Sequence, residues 1–271
     1  MERGGEHVTR VRGYAFRPKA VKACVITGFG INADEELALA FEMAGARAMR
    51  VHEADLAASP RLLDDCRILA FPGGFSFGDH LGSGKVFATL FRRSLGGAMQ
   101  EFLRRGGLVI GVCNGFQALV KMGFLPDLSG THTPEVSLIH NDSGKFEDRW
   151  VRVGFEKGCP CLWTGGLSEM DLPVRHGEGK FVAESRETLA ELESRGLVAM
   201  RYIGPGYPED PNGSVNHIAG ICDASGKVFG LMPHPEAFLF RENHPEWTRR
   251  PDLRGQGLAI FQNGVLAARE A

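Results

Sequence analysis

Leu108-Val-Ile-Gly-Val-Cys113-Asn-Gly115-Phe-Gln117 is an apolar run of strand type that ends at a cysteine with glycine two residues away on each side. A helix-forming segment, Phe116-Gln-Ala-Leu-Val-Lys-Met122, follows at once. The pattern is that of a nucleophile elbow, G-x-S-x-G, with cysteine in place of serine. A nucleophile on a sharp strand-to-helix turn has a strained backbone, and side chains two residues to either side would keep the two arms apart. The turn lifts the side chain clear of the sheet and aims the first helical N–H groups at it, which favours a thiolate and then an oxyanion. With 36 Gly and 6 Cys in 271 residues the pattern does not decide by itself. A buried structural cysteine at a glycine-rich strand end is the other reading.

Val228-Phe-Gly-Leu-Met-Pro233-His234-Pro235-Glu236 supplies the context. A residue before proline is pushed out of the helical region, so Met232 and His234 are expected to be extended. In extended chain, side chains at i and i+2 share a side. His234 and Glu236 are then within reach of a carboxylate–imidazole hydrogen bond. A thiol needs a base and the base needs an orienting group; Cys113, His234 and Glu236 fit those roles. A third stretch, Arg67-Ile-Leu-Ala-Phe-Pro-Gly73-Gly74-Phe-Ser-Phe-Gly78-Asp79, is another apolar strand that stops at Pro-Gly-Gly. Backbone N–H groups there and at Asn114 could form an oxyanion hole; an ordinary turn is the alternative.

These residues resemble class I (triad-type) glutamine amidotransferases. Five stretches are similar to the glutaminase component of phosphoribosylformylglycinamidine synthases: 71–79, 111–117, His176-Gly-Glu178-Gly179, Asn212-Gly-Ser-Val-Asn216 and 232–236. The resemblance runs from about residue 21 to 265, with Asn114 matching the family residue after the cysteine. Many members carry a cysteine after the early Gly-x-Asn, where this chain has Gly30-Ile-Asn32-Ala33. The stretch 141–150 resembles the fused, large form of the synthase. The resemblance implies release of ammonia from glutamine and its delivery to a synthetase subunit, possession of ATP and magnesium by that partner, and a small accessory subunit as a further candidate partner. It implies no cofactor on this chain. Gln117 is expected either to contact the substrate amide or to lie on the helix surface. His176 and Glu178 are expected at the pocket or partner interface, with a plain loop as the alternative for His176. Elbow-cysteine deglycase and chaperone-like proteins share such a fold but lack a terminal Pro-His-Pro-Glu.

Short apolar strands alternate with helical segments: strand at 22–27, helix 34–44, strands 48–52 and 68–71, a helical pair 85–93 and 98–105, the elbow, and a last helix 258–269. This order predicts an α/β, flavodoxin-like fold with a mostly parallel sheet and helices on both faces. Beyond Gly123, turn-rich strands are expected. Residues 1–20 read as an N-terminal extension and 21–271 as one amidotransferase domain, with the ligand outside the carboxyl ends of the parallel strands.

The net charge of −2 offers no basic excess to neutralise phosphates, so nucleic acid is not an expected partner. No segment reaches the ~20 apolar residues of a membrane span, and the first ten residues lack a signal-type apolar run, so a cytoplasmic enzyme is expected. Six unevenly spaced cysteines do not form a disulfide framework. Cys159-Pro-Cys161 lacks a second ligand pair and is expected in a surface loop rather than at a metal. Gly28-Phe-Gly30-Ile-Asn-Ala33, with Glu53 some 20 residues on, formally fits a dinucleotide fingerprint, but such glycines suit any tight βα turn. Gly82-Ser-Gly84-Lys85-Val86 fails as a P-loop, because Asp79 and Val86 stand where glycine and Ser/Thr are needed.

Overall fold

The computed structural model describes residues 20–78, 82 and 84–270. The extension expected at 1–20 lies almost wholly outside them. Parallel strands β1 (Lys22–Thr27), β2 (Arg47–His52), β3 (Ile68–Phe71) and β4 (Leu108–Val112) form one half of a nine-stranded sheet, together with β11 (Val228–Leu231). Three hydrophobic strands, β3, β4 and β11, are buried along their whole length, as strands covered on both faces must be. The remaining strands, β6 (Glu147–Phe155), β7 (Glu169–His176), β9 (Val198–Tyr202) and β10 (Ile218–Cys222), are antiparallel. They complete the order β2-β1-β3-β4-β11-β10-β9-β6-β7. A separate two-stranded antiparallel sheet pairs β5 (Val136–Ile139) with β8 (Lys180–Ala183).

The helices form two sets that cover the two faces of the sheet. On one, α1 (Asp34–Met43) packs against α6 (Leu258–Glu270); on the other, α2 (Glu53–Ala58), α3 (Lys85–Arg104) and α4 (Asn114–Lys121) pack in succession. The helical pair expected at 85–105 is one continuous helix. Phe87, Phe91, Leu95, Met99 and Phe102 make an unbroken buried stripe along it. That burial outweighs the ~1 kcal/mol helix cost of each of Gly96 and Gly97. A helix the strand-rich reading of this region missed, α5 (Arg186–Ser194), starts at Ser185, whose side chain accepts from the Thr188 N–H. Its signals were legible: a serine N-cap, Leu189 and Leu192 at helical spacing, and Gly196 at φ +67 just past its end.

Cys161 is buried rather than exposed, and half-buried Cys159 has its Sγ 3.5 Å from that of buried Cys222. The loop lies at the surface as expected, with Cys161 turned inward and Cys159 partly exposed. Among the described residues no helix is long and apolar enough to cross a membrane.

Candidate functional site

β4 ends in the middle of the sheet, and the chain turns there into α4 through Cys113, at φ +50 and ψ −105. A side chain rarely adopts that backbone, which costs of order 1–3 kcal/mol. The flanking glycines allow it. A Cβ on Gly115 would lie 2.0 Å from the Phe71 carbonyl oxygen of β3, and one on Gly111 2.7 Å from the Gly115 carbonyl. The Cys113 N–H donates to the Leu231 carbonyl of β11 at 2.8 Å, which locks the elbow to the next strand. The Sγ lies 3.7 Å from the Arg175 carbonyl oxygen.

His234 follows the end of β11. Its N–H donates to the Pro173 carbonyl of β7, so this edge strand returns over the carboxyl ends of the parallel strands. His234 Nδ1 and Glu236 Oε1 are 2.6 Å apart, both buried. The route to this contact differs from the extended segment read in the sequence. Pro235–Ala237 is a 3₁₀ turn, with Pro235 at its start where a missing N–H costs nothing. The turn, rather than strand alternation, brings the carboxylate back to the ring. Nε2 of His234 is buried with no hydrogen-bond partner. Burial alone would depress the pKa of this ring. The charge of Glu236 and then that of Cys113 reverse the effect and push it up to about 10. His234 can therefore carry a proton beside the Cys113 sulfur, where it could be given to a leaving group after nucleophilic attack.

The Pro-Gly-Gly loop leaves the end of β3 beside the elbow. Gly73 lies against His234: a Cβ there would be 2.7 Å from its Cε1. Gly74, at φ +152, crosses the first βα loop so closely that a Cβ would lie 2.6 Å from the Gly30 carbonyl. The N–H groups of Gly74 and of Asn114, the latter in the first turn of α4, donate to no group among the described residues. Side chains around them fix the loops. Asn114 Oδ1 accepts from the Ser76 N–H at 3.2 Å, and its Nδ2 donates to Gln117 Oε1 at 3.0 Å.

Gln117 is neither on the helix surface nor on the pocket wall. It is buried, and its Nε2 donates to the Glu178 carbonyl at 2.6 Å. That places the His176–Gly179 turn against α4. His176 is the last residue of β7 rather than a loop residue, and is buried with Nδ1 3.2 Å from Asn141 Oδ1. Burial, reinforced by the charge on His234, pushes its pKa down to about 3, so the ring is neutral at ordinary pH. The Glu178 side chain is buried too, with Oε1 3.8 Å from His140 Nδ1. Asn141 Nδ2 donates to the His176 carbonyl, its Oδ1 accepts from the Gly179 N–H, and Asn212 Nδ2 donates to the Gly179 carbonyl. The Asn-Gly-Ser motif at 212–214 thus braces the turn from below.

Cys113 and His234 open onto a cavity of about 340 Å³ that is also lined by Gly74, Phe75, Phe146, Asn32, Glu36 and Arg175. The sequence reading missed the last five of these. The signals were positional: Phe75 beside the Gly-Gly pair, Phe146 within the 141–150 stretch, Arg175 beside the His176 motif and Asn32 in the first βα loop. A larger cleft, about 960 Å³, lies between α3 and the β5–β8 pair, and among the described residues no cysteine or histidine lines it. The glycines of the dinucleotide-like stretch have other uses. A Cβ on Gly30 would lie 2.1 Å from the Phe75 carbonyl, and Glu53 packs on Gly28. The first turn of α1 carries Asp34, Glu35 and Glu36, which would repel a phosphate. Among the described residues no group of three or more His, Cys, Asp or Glu side chains could hold a metal ion.

Residues 20–266 match the family model of the CobB/CobQ-like glutamine amidotransferase domain. The chain belongs to that family. It is 42% identical over 257 residues to the phosphoribosylformylglycinamidine synthase subunit PurQ of Dehalococcoides mccartyi, covering 92% of this chain and 98% of that relative. The PurQ subunit of Methanococcus maripaludis is 36% identical over 263 residues, with 90% and 96% covered. A chain in the structure of PurLQS from Thermotoga maritima superposes with a TM-score of 0.70 at 31% identity, covering 91% of this chain and 98% of that one. A glutamine amidotransferase of the same organism, at 14% identity and a TM-score of 0.52 over 92% of this chain and 96% of its own, shares the fold.

Proposed function

We propose that this chain is the glutaminase subunit of a phosphoribosylformylglycinamidine synthase in purine biosynthesis, and that Cys113, His234 and Glu236 are its catalytic triad. The observation that carries the reading is the pairing of a strained elbow cysteine with a histidine whose Nδ1 is held by Glu236 at 2.6 Å and whose Nε2 has no partner, both facing one cavity. Relatives that align over 90–92% of the chain are synthase subunits of this kind, which supports the choice of acceptor.

Cys113 Sγ attacks the side-chain carboxamide carbon of glutamine. The oxyanion that forms is held by the N–H groups of Gly74 and Asn114. His234 gives its Nε2 proton to the departing nitrogen, which leaves as ammonia, and a thioester remains on Cys113. Neutral His234 then takes a proton from water, whose oxygen attacks the thioester carbon. Collapse of the second tetrahedral species releases glutamate and returns the proton to the triad. Gly73 packs against the His234 ring, and Gln117, His176 and Glu178 hold the site in register through the turn that follows β7. The ammonia is consumed by a synthetase subunit, where ATP and magnesium drive amination of formylglycinamide ribonucleotide; a small accessory subunit completes the assembly. This chain needs no cofactor, nucleic acid or membrane for its half of the reaction, and works in the cytoplasm.

A glutamine-shaped electrophile tests the assignment. Peptide mapping by mass spectrometry is expected to find Cys113 labelled before the other five cysteines, and more slowly in His234→Ala. Dominant labelling elsewhere, or an unchanged rate in that variant, contradicts it.

A further inference from the structure

The triad accounts for attack on a carboxamide but not for the choice of glutamine over any other primary amide. Two charged side chains stand on the wall of the Cys113 cavity. Arg175, on β7, is the outward-facing residue between buried Val174 and buried His176. Its guanidinium makes no hydrogen bond or ion pair with any described residue, whereas Arg149, Arg152, Arg201 and Arg250 each meet a carboxylate. Glu36, in the first turn of α1, is in the same position. Its neighbours Asp34 and Glu35 both pair with Arg50, while Glu36 has no partner among the described residues and lines the cavity. The two charges do not pair with each other either. Opposite charges that share one small cavity without neutralising one another leave room for a molecule that carries both signs.

We propose that Arg175 binds the α-carboxylate and Glu36 the α-ammonium group of free L-glutamine, so that the pair sets the substrate's head while Cys113 receives its amide. The inference rests on the glutaminase reading and deepens it. An arginine can take a carboxylate through two parallel N–H donors, and a carboxylate is the natural acceptor for an ammonium group. Both elements are held rigidly. Arg175 sits between the Pro173 carbonyl bound by His234 and the turn braced by Asn141 and Asn212. Glu36 belongs to the helix whose preceding loop is clasped by the Gly73 carbonyl, which accepts from the N–H groups of Asn32 and Ala33. A zwitterion clamp also explains why the wall is charged at all, since an amide alone requires only the oxyanion donors.

The test compares substrates within one enzyme preparation, so that partial unfolding of a variant cancels. With the chain assembled with its synthetase, kcat/KM for ammonia release is measured for L-glutamine, for L-glutaminamide (no α-carboxylate) and for 4-carbamoylbutanoate (no α-amino group). In Arg175→Gln the preference for glutamine over glutaminamide is expected to fall by about 10–100-fold, mainly through KM, while the preference over 4-carbamoylbutanoate holds. Glu36→Gln is expected to give the converse, and Arg175→Lys to restore part of the first preference. Unchanged ratios in both variants, with the unsubstituted complex releasing ammonia from glutamine, overturn the clamp alone. No ammonia from glutamine in the unsubstituted complex overturns the glutaminase reading and the clamp with it.

Discussion

The same chemical change at two glycines is expected to have opposite effects. In Gly115→Ala the new methyl would lie 2.0 Å from the Phe71 carbonyl oxygen and 2.6 Å from its carbon. Ordinary contact needs more than 3 Å, so β3 and α4 must separate by about 1 Å, and neither can give because β3 is buried inside the sheet and α4 is buried against it. Overpacking of this kind costs about 3 kcal/mol when backbone is the obstacle. At about 2–4 °C per kcal/mol for a chain of this size, Tm falls by about 6–12 °C. The separation also shifts Cys113 off the end of β4, so its labelling by a glutamine-shaped electrophile slows. In Gly97→Ala the methyl meets nothing within 4 Å, on the exposed side of α3. There the gain in helix propensity is about 1 kcal/mol, and Tm rises by about 2–4 °C. Differential scanning calorimetry of both variants, with the labelling rate measured alongside, reads the result. A Gly115→Ala protein with unchanged Tm and unchanged labelling refutes the claim that the glycine spacing exists to let the elbow close.

Glu236→Gln keeps the shape of the triad but removes the charge that holds the His234 proton up to about 10. The raised pKa means that His234 stabilises the fold fully below its ordinary value near 6.5 and loses that contribution as pH rises through about 10. The variant is expected to lose this alkaline sensitivity in chemical denaturation, and the alkaline limb of its glutaminase rate to move down by about 1–3 pH units; coincident profiles contradict the pairing. His176 has the opposite sign. With its pKa pushed down to about 3, the folded state refuses a proton that the unfolded chain takes below about 6.5. Stability is therefore lost as pH falls from there toward 3, and His176→Gln is expected to flatten that slope; an equal slope in both proteins removes the histidine from the account.

Much of the site could be read in the sequence because backbone constraint leaves marks there. Glycines at 111 and 115 and the prolines at 233 and 235 are responses to a forbidden Cβ or a fixed φ, and they point to Cys113 and His234 before any fold is drawn. Strands buried on both faces also announce themselves, and β1 and β3 fall where the apolar runs put them. What stayed hidden depends on contacts between distant segments. Gln117 reads as a surface or substrate-facing side chain until the turn after β7 folds over it. Arg175 and Glu36 are ordinary charged residues until a strand at the sheet edge and the first helix are brought to one cavity. The continuous α3 shows the same limit in another form: two glycines are a local signal to stop, and a buried stripe contributed by the rest of the sheet overrules them.

The division of labour between amide hydrolysis and amination is the central claim, and one substitution separates them. The Cys113→Ala chain, assembled with its synthetase, ATP and magnesium, is assayed for amination of formylglycinamide ribonucleotide with glutamine and, separately, with ammonium salt as the nitrogen source. The account predicts that the glutamine-dependent rate disappears while the ammonium-dependent rate stays close to that of the unsubstituted complex, because the thiol serves only to release ammonia. Glutamine-dependent product at the unsubstituted rate would contradict the assignment of Cys113 as the nucleophile. Loss of the ammonium-dependent reaction from an intact complex would contradict the separation of the two chemistries.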